Sequence, residues 1–225
     1  AAFLAKAAGV KKFVYASSCS VYGFANEKFF TEVDEISCAY PYGISKLQGE
    51  QGVLSIADDN FNVISLRQGT VCGFSERMRF DLVINSMFKD AITKKVIYIS
   101  NPNIWRPILH IEDTCSAFIR AIQVTGVKKE IFNIATENTV LGQLAEIVKT
   151  EIEKLAGISV VIEDRNIQDF RNYRVSIDKA YRILGYKPTH TLVDVVKNIY
   201  ENMDKIADFE NEAYYNIQVF KKLGK

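Results

Sequence analysis

Tyr42 and Lys46 stand four residues apart in the run "YPYGISKLQGE" (40–50). On a helix that spacing puts a phenol and an ammonium on one face. A cation beside a phenol favours the phenolate, which makes the pair a candidate general base for a hydroxyl proton. A serine hydroxyl close by would hold the reacting hydroxyl in place, and "YASSCSVYG" (15–23) offers Ser17, Ser18 and Ser20. Taken alone the pair reads first as a boundary aromatic and a solvated lysine. With 11 Tyr and 19 Lys in 225 residues, roughly one Tyr-x-x-x-Lys arises by chance, and the chain holds one. The surroundings have to decide.

Those surroundings alternate. Residues 1–8 read as the end of a helix closed by Gly9, and "KKFVYAS" (11–17) as a buried strand. A polar loop is expected to about residue 39. A helix is expected from Tyr42 to about Asp58, with Ile44, Leu47, Val53 and Leu54 at helical spacing. "NVISLR" (62–67) reads as a second strand, ending in the turn "QGTVCG" (68–73). Strand, loop, helix and strand in series imply an α/β fold with a parallel sheet and crossover helices. Ligands in such sheets sit at the carboxyl ends of the strands, where Ser17–Ser20 and Gln68–Gly73 both fall. Tyr42 opens the helix between them, so one cleft gathers all three.

Further on, the pattern predicts helices at about 79–94, 113–124, 141–157, 176–185 and 192–206, and strands at 96–100, 130–135 and 158–164. Trp105 is expected in a loop, and the tail 207–223 as a helical continuation. His110 reads as a structural histidine near a helix start, not as a catalyst.

Bulk properties exclude other classes. The chain is 48% hydrophobic and 24% charged, with a net charge of +1, so nothing argues for nucleic acid or an anionic membrane surface. Apolar runs break within about ten residues, short of the roughly 20 that span a bilayer. Cys19, Cys38, Cys72 and Cys115 are widely spaced and only two histidines are present. A metal site is therefore not expected, and a reduced, cytoplasmic chain is.

The stretches "FVYASSCSVYG", "YPYGISKLQGE", "VISLRQGTVCG", "WRPILHIED" and "DFRNYRVSIDKAYRILGYKP" follow one another in this order. Together they resemble the extended short-chain dehydrogenase/reductases, the NAD-dependent nucleotide-sugar epimerase/dehydratase family. The resemblance implies a Rossmann-like, doubly wound parallel sheet with a smaller interleaved α/β substrate-binding lobe. Residues 1–75 would be the C-terminal part of the dinucleotide-binding domain. Residues 76–225 would be mainly the lobe, with about 105–135 returning to the Rossmann domain. It further implies Tyr42 as the base, Lys46 as the group on the nicotinamide ribose, and Ser18 as the catalytic serine, with the adjacent Ser17 as an alternative donor. Ser17, Gly69 and Thr70 would approach the cofactor, NAD, with NADP not excluded. Ser18, Ser20, Thr70, Arg79, Asp81, Arg106 and Arg171 would face a nucleotide-diphosphate sugar, the arginines through bidentate bonds to phosphate. Trp105 would shape the sugar pocket or simply pack, and a homodimer through the helix around 44–57 is implied.

Two departures refine this expectation. Where dehydratases of the family carry Asp-Glu, this chain has Cys19-Ser20, which weighs against dehydration. The C3/C5 epimerases' cysteine position is Ser20 here, and "GFSER" lacks their histidine. What remains is epimerisation or ketone reduction at one carbon; a 4,6-dehydratase and a non-catalytic relic of the family are the alternatives. The family's Gly-rich turn is not found, and the chain opens with Ala1 in a helix. The expectation is that the sequence lacks the front of the sheet, about four strands, and with them most of the cofactor cradle.

Overall fold

A computed structural model describes residues 1–165 and 172–224 of the chain. The first elements are α1 (Ala2–Ala7), β1 (Lys12–Ser18), β2 (Phe24–Phe30), α2 (Pro41–Ser55), β3 (Asn62–Gln68) and β4 (Thr70–Cys72). They are followed by α3 (Val83–Lys94), β5 (Val96–Ile99), β6 (Trp105–His110), α4 (Ile111–Gln123), β7 (Lys129–Ile134) and β8 (Glu137–Val140). The chain continues with α5 (Leu141–Ala156), β9 (Val161–Asp164), β10 (Asn172–Val175), α6 (Asp178–Leu184), α7 (Leu192–Glu201) and α8 (Asn216–Leu223).

β1, β3 and β7 form a fully parallel sheet in that order, with Ser17 opposite Arg67 and Leu66 opposite Phe132. Successive residues of β3 point to opposite faces, and both faces are covered. Val63 packs with Leu54 of α2 and with Phe61, while Ile64 and Leu66 pack with α4, α6 and Phe132. Ile64, Leu66 and Phe132 have no exposed surface, and burial of each contributes roughly 1.5–3 kcal/mol. Helices on both sides of a parallel sheet make this a doubly wound α/β arrangement. Among the described residues β1 has one strand neighbour, β3.

Beyond Gly69 the chain enters a second region. β4 pairs parallel with β6, and β6 antiparallel with β8. β5 pairs with β9, and α3, α5 and α7 bury their apolar faces around Ile84, Phe88, Leu144, Val148 and Val196.

Several expected elements differ. The polar loop before residue 39 contains a 3-10 turn, Cys19–Tyr22, and β2, which pairs with β10. That partner lies far along the chain, so no local pattern could show it. Trp105 opens β6 instead of sitting in a loop. Pro107 argues locally against a strand, but the β4 pairing begins one residue later, at Ile108, and Pro107 itself pairs with Asn138 of β8. The turn after β3 holds β4. α3 begins at Val83, which leaves Arg79–Asp81 outside it. The tail is broken: residues 207–211 are not helical, a 3-10 turn spans Glu212–Tyr214, and α8 follows.

Candidate active site

α2 carries the pair. Pro41 sits in its first turn, where a missing N–H does no harm, and Tyr40 precedes it in extended conformation. The helix buries Gly43, Glu50 and Leu54, one stripe at helical spacing. Tyr42 lies in the first turn with 59% of its surface exposed. One turn on, the Lys46 ammonium donates to the carbonyl of Ala16 (3.0 Å), near the carboxyl end of β1. It also lies 5.7 Å from the Tyr42 ring centroid and 5.8 Å from that of Tyr15. The helical spacing therefore does bring cation and phenol together.

Ser18 ends β1 and caps the 3-10 turn. Its Oγ accepts from the Ser20 N–H (3.2 Å) and from the Ser20 Oγ–H (2.9 Å). The turn closes at Gly23, whose φ of +68° favours glycine; a Cβ there would come within 2.1 Å of the Ser37 carbonyl oxygen. α2 packs on this turn through Gly43, where a Cβ would meet Cys38 Sγ at 2.2 Å and the Ser20 carbonyl oxygen at 2.8 Å. The helix start bearing Tyr42 is thus seated on the turn bearing Ser20. Ser17 is buried, and its Oγ has no hydrogen-bond partner among the described residues.

Gly69 joins β3 to β4, donating its N–H to the Ile134 carbonyl (2.8 Å), and Thr70 pairs with Ile108 on β6. Arg106 lies two residues before Ile108 on the same face of β6, is buried, and donates from Nη1 to the Trp105 carbonyl (2.9 Å). Arg79 and Asp81 form a two-pronged pair (2.7 and 2.9 Å), and although burial opposes it, this partner holds the Asp81 carboxyl below its usual range. The two residues bond to each other on the loop before α3, and Asn85 of α3 donates to the Arg79 carbonyl (3.2 Å). Arg171 lies outside the described residues. The Trp105 ring stacks on the Arg174 guanidinium (4.6 Å), which also contacts the Phe29 ring (4.5 Å).

Cys19 is fully buried and donates its Sγ–H to the Arg67 carbonyl (3.0 Å); burial pushes its thiol pKa well up, so it is no base. His110 caps α4 by accepting the Glu112 N–H (3.1 Å), the structural role its position implied.

Sequence reasoning passed over Glu50, Arg67 and Tyr22. Glu50 accepts from Arg67 Nη2 (2.7 Å), from its Nε (3.1 and 3.2 Å) and from Ser65 Oγ (2.8 Å), all buried. Burial opposes the charge of Arg67, but Glu50 and Tyr22 outweigh it and hold the guanidinium pKa above its ordinary value. Two signals were present: Glu50 continues the spacing 42, 46, 50, and Arg67 is the one charged residue in the strand run 62–67.

Residues 2–135 match the model of the NAD dependent epimerase/dehydratase family, and the chain belongs to that family. It is 27% identical over 200 residues to a dTDP-4-dehydro-6-deoxyglucose reductase of Escherichia coli, covering 87% of this chain and 62% of that protein. It is 29% identical over 196 residues to a putative UDP-glucose 4-epimerase of Methanocaldococcus jannaschii, covering 84% of this chain and 62% of that one. The chain thus spans about 60% of the length of these curated relatives. The Bacillus cereus UDP-glucuronic acid 4-epimerase in complex with NAD shares its fold, with a TM-score of 0.76 at 22% identity, over 92% of this chain and 66% of that one. So does the Bacillus anthracis dTDP-glucose 4,6-dehydratase in complex with NAD, with a TM-score of 0.76 at 21% identity, over 96% of this chain and 68% of that one. The Rossmann-like α/β fold is common to all three.

Proposed function

We propose that this chain carries the catalytic residues of an NAD-dependent enzyme that epimerises or reduces a nucleotide-diphosphate sugar at one carbon through a keto-sugar. The observation that carries this reading is the Lys46 ammonium, anchored to Ala16 O next to Ser17 and Ser18 and set against the Tyr42 ring. A lysine has three N–H donors, and among the described residues one is used, by Ala16. The residue therefore fits a nicotinamide ribose, with donors left for its hydroxyls. Bound NAD would supply the oxidant for the sugar carbon.

The chain's own residues do the rest. Tyr42 takes the proton of the sugar hydroxyl, and its exposed position leaves it open to a substrate in the cleft. Lys46 sets a positive charge beside the phenol ring that must carry the negative one. Ser18 orients the reacting hydroxyl, its own Oγ ordered by Ser20. Thr70 and Arg106, on adjoining strands, are assigned to the sugar and diphosphate. Positions 19 and 20 provide a buried thiol and a hydroxyl but no carboxylate, which favours epimerisation or reduction over loss of water. In this reading residues 1–75 hold the reacting groups and the region built on α3, α5 and α7 holds the nucleotide end.

The test is incubation of the whole protein, of which this chain is the part that carries Ser18, Tyr42 and Lys46, with NAD and a panel of UDP-, dTDP-, GDP- and CDP-sugars, with products read by NMR and mass spectrometry. A product epimeric at one carbon and unchanged in mass is expected. NADH in place of NAD, with a keto-sugar as substrate, is expected to give reduction. Loss of water, or no conversion of any sugar, would overturn the reading.

A further inference from the structure

Arg67 touches both halves of the site without being part of either. Its Nη2 and Nε bond the Glu50 carboxylate on α2, one turn beyond Lys46 and two beyond Tyr42. Its Nη1 donates to the Tyr22 hydroxyl (2.8 Å), in the turn that follows Ser18, and that hydroxyl donates onward to Asn133 Oδ1 on β7 (2.7 Å). Its carbonyl receives the Cys19 thiol. Ser65, two residues earlier on β3, donates to Glu50 as well. One strand residue thus fastens the helix that bears Tyr42 and Lys46 to the turn that bears Ser18 and Ser20.

The cost of such an arrangement argues for a geometric purpose. Removing two charges from water is expensive, and well-packed apolar residues in their place are commonly neutral or stabilising. Arg67 and Glu50 are 2% and 1% exposed, so they bear that cost in full. A fork with fixed donor directions specifies the distance and rotation of α2, which apolar packing leaves adjustable. The stripe Tyr42, Lys46, Glu50 runs from exposed surface to sealed core, so a small tilt at Glu50 moves the Tyr42 phenol relative to Ser18.

We propose that the Glu50–Arg67–Tyr22 network is a positioning device that sets the phenol of Tyr42 and the ammonium of Lys46 against Ser18. The inference rests on the roles proposed above for those three residues. It is tested in the whole protein with Glu50→Gln and with the triple variant Glu50→Leu/Ser65→Ala/Arg67→Met, which replaces the polar group by apolar volume. Turnover of the nucleotide sugar, the pH profile of kcat, unfolding by denaturant, and hydrogen exchange over 41–47 and 19–22 are measured.

The triple variant should unfold at no lower denaturant than the native protein. Its kcat should fall about 10- to 100-fold, as sub-ångström to ångström misplacement does, with KM changed no more than about twofold. The pH profile of kcat should shift, and exchange over 41–47 should quicken. A folded triple variant with native kcat, pH profile and exchange overturns the proposal. If that variant does not fold, Glu50→Gln decides by the same readouts, and native values there overturn it. If the native protein converts no nucleotide sugar, the functional reading fails separately. The positioning role then rests on exchange, and unchanged protection over 41–47 in the folded variant overturns it.

Discussion

The role proposed for Tyr42 rests on its place in the fold as much as on its chemistry. The hydroxyl-bearing ring stands open while the lysine one turn away is tied down by Ala16, so the charge is fixed and the phenol proposed as the base is reachable. Replacing Tyr42 by Phe keeps the ring and deletes the proton acceptor. We expect kcat to drop by about 10²- to 10⁴-fold, the usual contribution of a positioned acid or base, while NAD affinity by calorimetry stays near native. An unchanged rate would reject Tyr42 as the base.

At the scale of elements, the seat of α2 on the Cys19–Tyr22 turn is the critical join. Gly43→Ala should gain about 1 kcal/mol in helix propensity. Against that, the new Cβ would land 2.8 Å from a backbone oxygen, that of Ser20, which no rotamer change can relieve. Overpacking of this kind costs about 1–3 kcal/mol, so the clash wins and the variant should unfold at lower denaturant. Adding Cys38→Ala removes the thiol at 2.2 Å but not the carbonyl, so the recovery should be partial. A Gly43→Ala protein as stable as the native one would show that α2 does not sit this close.

Across the whole molecule, one long-range cluster ties α4 to the approach to α7 and makes stability depend on pH. His110 and His190 stack with ring centroids 4.1 Å apart and planes 6° apart. His190 bonds Asp113 through Nδ1 (2.9 Å) and Glu112 through Nε2 (3.1 Å). The hydrogen bond to Asp113 holds His190 above its ordinary value of 6.5, whereas burial, then the neighbouring His190 charge, holds His110 below it. The His190 contribution is complete below about pH 6.5 and fades as pH rises through its higher folded value. The His110 contribution is complete above about pH 6.5 and fades as pH falls through its lower folded value. His190→Gln should therefore lower the melting temperature at about pH 5.5 more than at about pH 8.5. A gap of the same size at both pH values would sink this account.

Local chemistry was open to reading in the chain itself. The four-residue spacing of Tyr42 and Lys46, the strand runs at 11–17 and 62–67, and the ordered motifs determined the family and the parallel α/β core, because helix and strand periods are properties of neighbouring residues. That His110 is structural and stands near a helix start was visible for the same reason; that it caps α4 was not. Other features needed the fold. β2 takes its partner from β10, Glu50 finds Arg67 17 residues on, and His190 finds Asp113 77 residues back. Arg79 spends its guanidinium on Asp81, which no spacing rule announced. Strand pairing and the pairing of buried charges are settled by which elements the topology lays side by side. The sequence by itself therefore determined which residues could react. Only the tertiary structure decided how α2 is fastened to the turn after β1, because a buried charge takes whatever partner its enclosure leaves within reach.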